Sequence, residues 1–253
     1  MTLIFDVGNT SVVTAVYDGN KLLHTWRFPS KKQTAAKFSV ALSRAFREAK
    51  IETTSIDGAA YASVVPLANQ ILEETVQKIF GFKPFSVTAG SANLPFKGLP
   101  RELGADRVAD IAMAYKRYGA PCIVVDMGTA ITLDVVSQEP ARLLGGAITL
   151  GIRSMFEVLG ANTALLPSNL IANAPSKAIG TTTETQMQSG IVFGAAAMVD
   201  GLIKRTWKEL GKECRVIATG GDAELISQFS NRINVLDKNL TLDGIKYIYE
   251  LNK

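Results

Sequence analysis

An apolar run, Leu3-Ile4-Phe5, ends in Asp6, and Val7, Gly8, Asn9, Thr10 and Ser11 follow it. If the run is a strand, the aspartate stands at the rim of a sheet. Gly8 then permits a turn tight enough for backbone amides and the hydroxyls of Thr10 and Ser11 to face an anion. That is a phosphate cradle with a carboxylate available to magnesium. Taken alone, an aspartate-x-glycine turn is often no more than a turn between strands. The pattern returns, however, at Ile123-Val124-Val125-Asp126-Met127-Gly128-Thr129-Ala130. Internal similarity of this kind indicates duplication, and two opposed cradles would enclose a triphosphate from both sides.

The elements that must position these residues follow from periodicity and turn chemistry. Leu3–Phe5, Val12–Tyr17 and Leu22–Phe28 read as consecutive strands, the last two joined by Asp18-Gly19-Asn20. A helical pattern covers Thr34–Lys50, then a strand at Gly58–Val64, a helix Leu67–Phe80 behind Pro66, and a short strand at Phe85–Val87. Ser91–Gly104 reads as a loop feeding a helix that ends near Tyr118. Three strands follow again, Cys122–Asp126, Ile131–Ser137 and Arg142–Thr149. Helices at Gly151–Leu159 and Met187–Leu210, a strand at Arg215–Ala218, and helices at Asp222–Phe229 and Leu242–Leu251 complete the second half. The expected division is an α/β half over 1–115 and another over 116–253.

With 253 residues and 47% hydrophobic content, each half can bury a core of its own. The excess of 27 Lys and Arg over 23 Asp and Glu is mild, and its members, such as Lys31, Lys32, Lys37, Arg44 and Arg47, are spread along the chain. A solvated surface accounts for them, and no nucleic-acid partner is expected. Cys122 and Cys214 have no metal-ligand spacing and read as buried thiols. The single His24 has no nucleophile to serve, and Trp26 and Trp207 suit a core or an interface. No signal-peptide pattern opens the chain, and no apolar run approaches the ~20 residues of a membrane span. A cytoplasmic protein without membrane contact is the expectation.

The motifs together resemble type III pantothenate kinases, members of the actin-like ATPase superfamily that also holds sugar kinases. The matches are Asp6-Val7-Gly8-Asn9-Thr10, Gly104-Ala105-Asp106-Arg107, the run from Asp126 to Asp134, Gly145-Gly146-Ala147-Ile148, Thr219-Gly220-Gly221 and Leu240-Thr241-Leu242-Asp243-Gly244. They come in the family's order over nearly the whole chain. The resemblance implies two duplicated ribonuclease H-like halves and the ATP-dependent phosphorylation of pantothenate, which opens coenzyme A synthesis. It places ATP on Asp6, Val7, Gly8, Asn9, Thr10, Ser11, Val12, Val13 and Thr129. Pantothenate falls on Gly104, Ala105, Asp106, Arg107 and Thr183, with Asp106 as catalytic base. Asp126 falls on a monovalent-cation ligand position, for potassium or ammonium, and Asp6 would meet magnesium directly or through water. A homodimer is implied as well, with the acyl pocket at or near its interface, and the Gly- and Ala-rich helix around Ile191–Ile203 could supply the close packing.

Local alternatives stay open beside these roles. Asp106 could be the N-cap of a helix starting at Arg107, Thr183 could cap the following helix, and Asp134 could face solvent on its strand. Two positions depart from the family pattern: Lys97, next to Phe96, stands where a tyrosine is common, and Leu150 replaces a proline. A kinase of the same fold with another hydroxylated substrate, or a nucleotide-binding regulatory protein without turnover, are the competing readings.

Overall fold

The computed structural model describes all residues except 31–32, 92, 97, 139–140 and 168–169. The chain divides into two compact units, Met1–Met113 with Leu240–Lys253, and Ala114–Asn239.

In the first unit β1 (Thr2–Val7) is central: Leu3, Ile4, Phe5 and Val7 are all buried. It pairs antiparallel with β2 (Ser11–Asp18), which pairs antiparallel with β3 (Lys21–Pro29) across a turn where Gly19 takes φ +53°. Helix α1 (Ala35–Glu48) is capped by the Thr34 side chain and buries Phe38, Leu42, Ala45 and Phe46, one stripe at helical spacing. Strand β4 (Gly58–Ser63) lies parallel to β1 on its other side. Helix α2 (Pro66–Phe80) begins on a proline and stops at Gly81, φ +83°. The two-residue β5 (Phe85–Ser86) closes the order β3-β2-β1-β4-β5. One face of this sheet packs Phe5, Val7, Val12 and Val16 against Phe38, Leu42, Leu72 and Val76 of the two helices. Trp26 completes that core by stacking on Phe46, with exposed His24 stacked on its outer side. Helix α3 (Ala105–Tyr118) runs through the boundary between the units.

The second unit repeats the topology. Strand β6 (Cys122–Met127) pairs antiparallel with β7 (Ala130–Val136), β7 with β8 (Leu143–Leu150), and two helices follow, α4 (Ile152–Asn162) and α5 (Thr183–Leu210). Strand β9 (Arg215–Thr219) lies parallel to β6, then come α6 (Ala223–Ser227) and β10 (Val235–Leu236). The order β10-β9-β6-β7-β8 is that of the first sheet, element for element, read from the opposite edge. Duplication is therefore visible in topology as well as in motif. The first hairpin joins Val7 to Val12 and the second Met127 to Ile131, so the second loop is one residue shorter. Gly145 takes φ +126° where the β7–β8 ladder shifts register, and a Cβ on Gly146 would fall on the Leu133 carbonyl. Cys122 is fully buried in β6, and burial, with Cys214 nearby, pushes its thiol up to about 12; Cys214 is half-buried just before β9.

Helix α7 (Leu240–Leu251) returns to the first unit, although the division expected at 115/116 left it with the second half. It lies on β1 and β4, the Tyr17 hydroxyl donates to Asp243 at 2.6 Å, and Gly244 comes so close to α3 that a Cβ there would meet the Ala109 backbone. Of the expected helix Ile191–Ile203, the apolar members Ile191, Ala195, Ala196, Val199 and Ile203 belong to the second unit's core. Gly190, Gly194, Ala197 and Gly201 form its exposed stripe.

Candidate active site

In the first unit, Asp6, one residue before the end of β1, is half-buried, and Asn9 and Thr10 are exposed at the tip of the loop. The loop is held closed by its own backbone, Gly8 donating its N–H to the Ser11 carbonyl at 3.0 Å. Strand β3 braces it from the side: Ser30 gives its hydroxyl to the Gly8 carbonyl at 2.6 Å and its N–H to Thr10 at 3.1 Å, and Arg27 Nη1 donates to the Ser11 hydroxyl at 2.6 Å. Val12 and Val13, expected in the ATP set, begin β2 on opposite faces of the sheet, Val12 in the core.

The Gly104–Arg107 motif reaches the same sheet edge. Val64, which continues β4, donates to the Val7 carbonyl at 3.1 Å, and a Cβ on Gly104 would come 3.4 Å from Val64. Helix α3 opens at Ala105, with Val108 donating back to Gly104 at 3.0 Å. Asp106 thus lies inside the first turn, beyond the cap position, and its Oδ1 accepts the Arg107 N–H at 2.7 Å. A side chain on Gly104 would stand 2.5 Å from that same oxygen, so the glycine keeps the carboxylate approachable. Asp6, the loop from Gly8 to Ser11, and Asp106 with Arg107 therefore share one rim. Phe96 is buried, and Lys97 lies outside the described residues.

The second unit builds its loop differently. Gly128 donates to the Ala130 carbonyl at 2.9 Å, while the Thr129 carbonyl accepts from the Gly151 N–H at 3.0 Å and the Ser154 hydroxyl at 2.8 Å, both at the start of α4. Leu150, in place of the family's proline, still pairs with Ala130. Asp126 is flanked by Thr132 on β7 and Thr219 on β9. The turn after β9 presses on it: Gly220 takes φ +96°, and a Cβ there would fall on an Asp126 carboxylate oxygen and the Met127 backbone. Asp222 donates its N–H to Met127 at 2.9 Å and accepts from Arg153 Nε at 3.0 Å. Asp134 does not face solvent on its strand; it is 1% exposed. Thr183 stands exposed at the first position of α5, and the cap beside it is a reciprocal pair, Thr182 with Thr185.

Among the described residues no group of three or more His, Cys, Asp or Glu converges on a metal-sized site. Asp6, a half-buried carboxylate at the rim, fits a magnesium ion carried mostly by phosphates and water, which is how that ion is commonly held. Asp126, crowded by oxygen-bearing backbone, offers the hard donors an alkali cation takes. The bracing residues Arg27, Ser30, Ser154 and Arg153 were not singled out by motif. The signal available for Arg27 and Ser30 was only that β3 must pair alongside the first loop.

A sequence model of the type III pantothenate kinase family matches residues 2–205. A type III pantothenate kinase of Exiguobacterium sibiricum is 41% identical over 256 residues, covering 100% of both chains. One from Desulforapulum autotrophicum is 37% identical over 252 residues, covering 98% of this chain and 96% of its own. Among solved structures, a conserved Campylobacter jejuni protein assigned to the Baf family of transcriptional activators superposes with TM-score 0.62 at 20% identity, covering 99% and 98% of the two chains. Component A of (R)-2-hydroxyglutaryl-CoA dehydratase from Acidaminococcus fermentans gives 0.53 at 14% identity, covering 100% and 99%. These two share the fold, the duplicated ribonuclease H-like halves of actin-like ATPases. Identity near two residues in five, sustained from end to end, places the chain in the type III pantothenate kinase family.

Proposed function

We propose that this kinase transfers the γ-phosphoryl group of ATP to the hydroxyl of pantothenate, forming 4′-phosphopantothenate and ADP in the first step of coenzyme A synthesis. The observation that carries the reading is Asp106, a carboxylate kept open by Gly104 on the rim that bears the first phosphate loop. As the pantothenate oxygen bonds to the γ-phosphorus and the bond to the bridging oxygen breaks, the hydroxyl proton passes to Asp106. Arg107, beside it, offers a planar set of donors to the substrate, and Thr183 would add a hydroxyl. The loop from Gly8 to Ser11 is assigned to phosphates, and so is Thr129.

Magnesium would supply charge neutralisation on the phosphates, with Asp6 the residue assigned to hold it directly or through water, and Asp126 is assigned to potassium or ammonium. Among the described residues no helix is long and apolar enough to cross a membrane, and we place the enzyme in the cytoplasm. We further assign a homodimer, supported by family membership and by the outward stripe of small residues on α5.

The test is ADP release with ATP and magnesium, with and without pantothenate, beside a panel of other hydroxy acids and sugars. Pantothenate-dependent release is expected. Release with another acceptor alone would point to a different kinase of this fold, and nucleotide binding without any release to a regulatory protein.

A further inference from the structure

Pairing register puts a cation beside the first phosphate loop in a position no motif marks. Asp6 pairs with Val13, and Val13 pairs with Arg27. Directly paired residues project from the same face of a sheet, so the three form one row across β1, β2 and β3. Their chain neighbours Phe5, Val12, Trp26 and Phe28 point the other way, into the core. Adjacent strands lie about 4.8 Å apart, which sets Asp6 and Arg27 about 10 Å apart at Cα. Val13 between them is small and only partly covered, and Arg27 is exposed. A carboxylate and a guanidinium thus reach over one short side chain, a gap suited to a phosphate and its hydrated cation.

Arg27 is tied to the loop itself. Its Nη1 donates to the Ser11 hydroxyl at 2.6 Å, and the Ser11 carbonyl is the acceptor that closes the loop on Gly8. A guanidinium has five N–H donors in a rigid fork. One bond to Ser11 orients the plane and leaves donors for oxygens of a bound anion. We propose that Arg27 is a direct ligand of the nucleotide phosphates, oriented by Ser11 and set across Val13 from Asp6, so that the cation falls to Asp6 and phosphate oxygens to Arg27. The inference rests on reading the first loop as an ATP-phosphate loop and assigns it a further ligand.

Calorimetric titration of magnesium-ATP, and separately of adenosine, into the full-length wild type, Arg27→Met and Arg27→Lys tests this. Losing a charge-assisted contact should weaken magnesium-ATP binding about tenfold to a hundredfold in Arg27→Met, with adenosine affinity unchanged. Arg27→Lys should recover only part, because an ammonium cannot present the planar pair of donors. Ser11→Ala should cost less than Arg27→Met, and the double variant no more than Arg27→Met alone.

Magnesium-ATP affinity within about twofold of wild type in Arg27→Met, well below the effect of a charged contact, would overturn the proposal. Equal losses for ATP and adenosine would do the same. Additive losses for Ser11→Ala and Arg27→Met would remove Ser11 as the orienting group. Should Arg27→Met fail to fold, Arg27→Lys decides: full wild-type affinity for magnesium-ATP would count against the assignment, and partial loss for it. A wild type that binds magnesium-ATP but releases no ADP with pantothenate would sink the proposed reaction and leave Arg27 as a phosphate ligand. A wild type that binds no magnesium-ATP would remove both.

Discussion

Asp106 and Asp126 are assigned different tasks, and single substitutions test them separately. Asp106→Asn keeps the shape of the side chain and removes its capacity to take a proton, so turnover should fall ~10²–10⁴-fold with ATP binding largely intact. Unchanged turnover at saturating substrates would take Asp106 out of the mechanism. At Asp126 the readout is ionic: replacing sodium by potassium or ammonium should raise the wild-type rate, and Asp126→Ala should lose that response. Equal rates in every monovalent salt would refute the assignment. What the sequence offered for both was a short motif, and the structure gives the glycines beside them, Gly104 and Gly220, a steric reason to be there. The burial of Asp134 was not legible. Alternation along β7 sorts residues onto two faces, and it implies exposure only if one face is wet; here Ile131, Leu133 and Val135 face the core while Asp134 and Val136 on the other face are buried too.

The turn between β9 and α6 couples local backbone geometry to Asp126, the assigned cation ligand. Gly220→Ala places a methyl group at φ +96° against the Asp126 carboxylate and the Met127 backbone, and should cost about 2–4 kcal/mol of stability together with the potassium response. Gly221→Ala is the control, since nothing lies within 4 Å of its Cβ position. Matching urea midpoints for the two variants would contradict the account.

Elements with long, clean periodicity, such as the two three-stranded hairpin runs and α1, were legible in the sequence. The two-residue β10 carries too little pattern to define, whereas β5 lies within the short strand expected at Phe85–Val87. Helix α5 begins at Thr183, ahead of the expected Met187, because its first turn, Thr183 to Gln186, has no apolar residue. Its reciprocal cap uses threonine where glutamate or glutamine is the usual signal.

For the molecule as a whole, the exposed stripe Gly190, Gly194, Ala197 and Gly201 is where the assigned dimer should be vulnerable. Nothing lies within 4 Å of a Cβ at Gly194 in the isolated chain, and glutamate favours a helix more than glycine does. Gly194→Glu should therefore keep its helical circular dichroism yet sediment as a monomer; a dimer of unchanged mass would move the interface elsewhere.

The partnership of α7 was hidden for a related reason. Its amphipathic pattern says that a face is buried, but not that the burying surface lies on β1 and β4, far back in the sequence. Because Leu240–Lys253 is part of the first unit while Ala114–Asn239 is continuous, the order of completion during synthesis is inverted. Domains generally fold as units as the chain emerges from the ribosome. Here the second unit has all its strands and helices once Asn239 is free. The first waits, with one face of β1 and β4 uncovered, until the final helix leaves the exit tunnel.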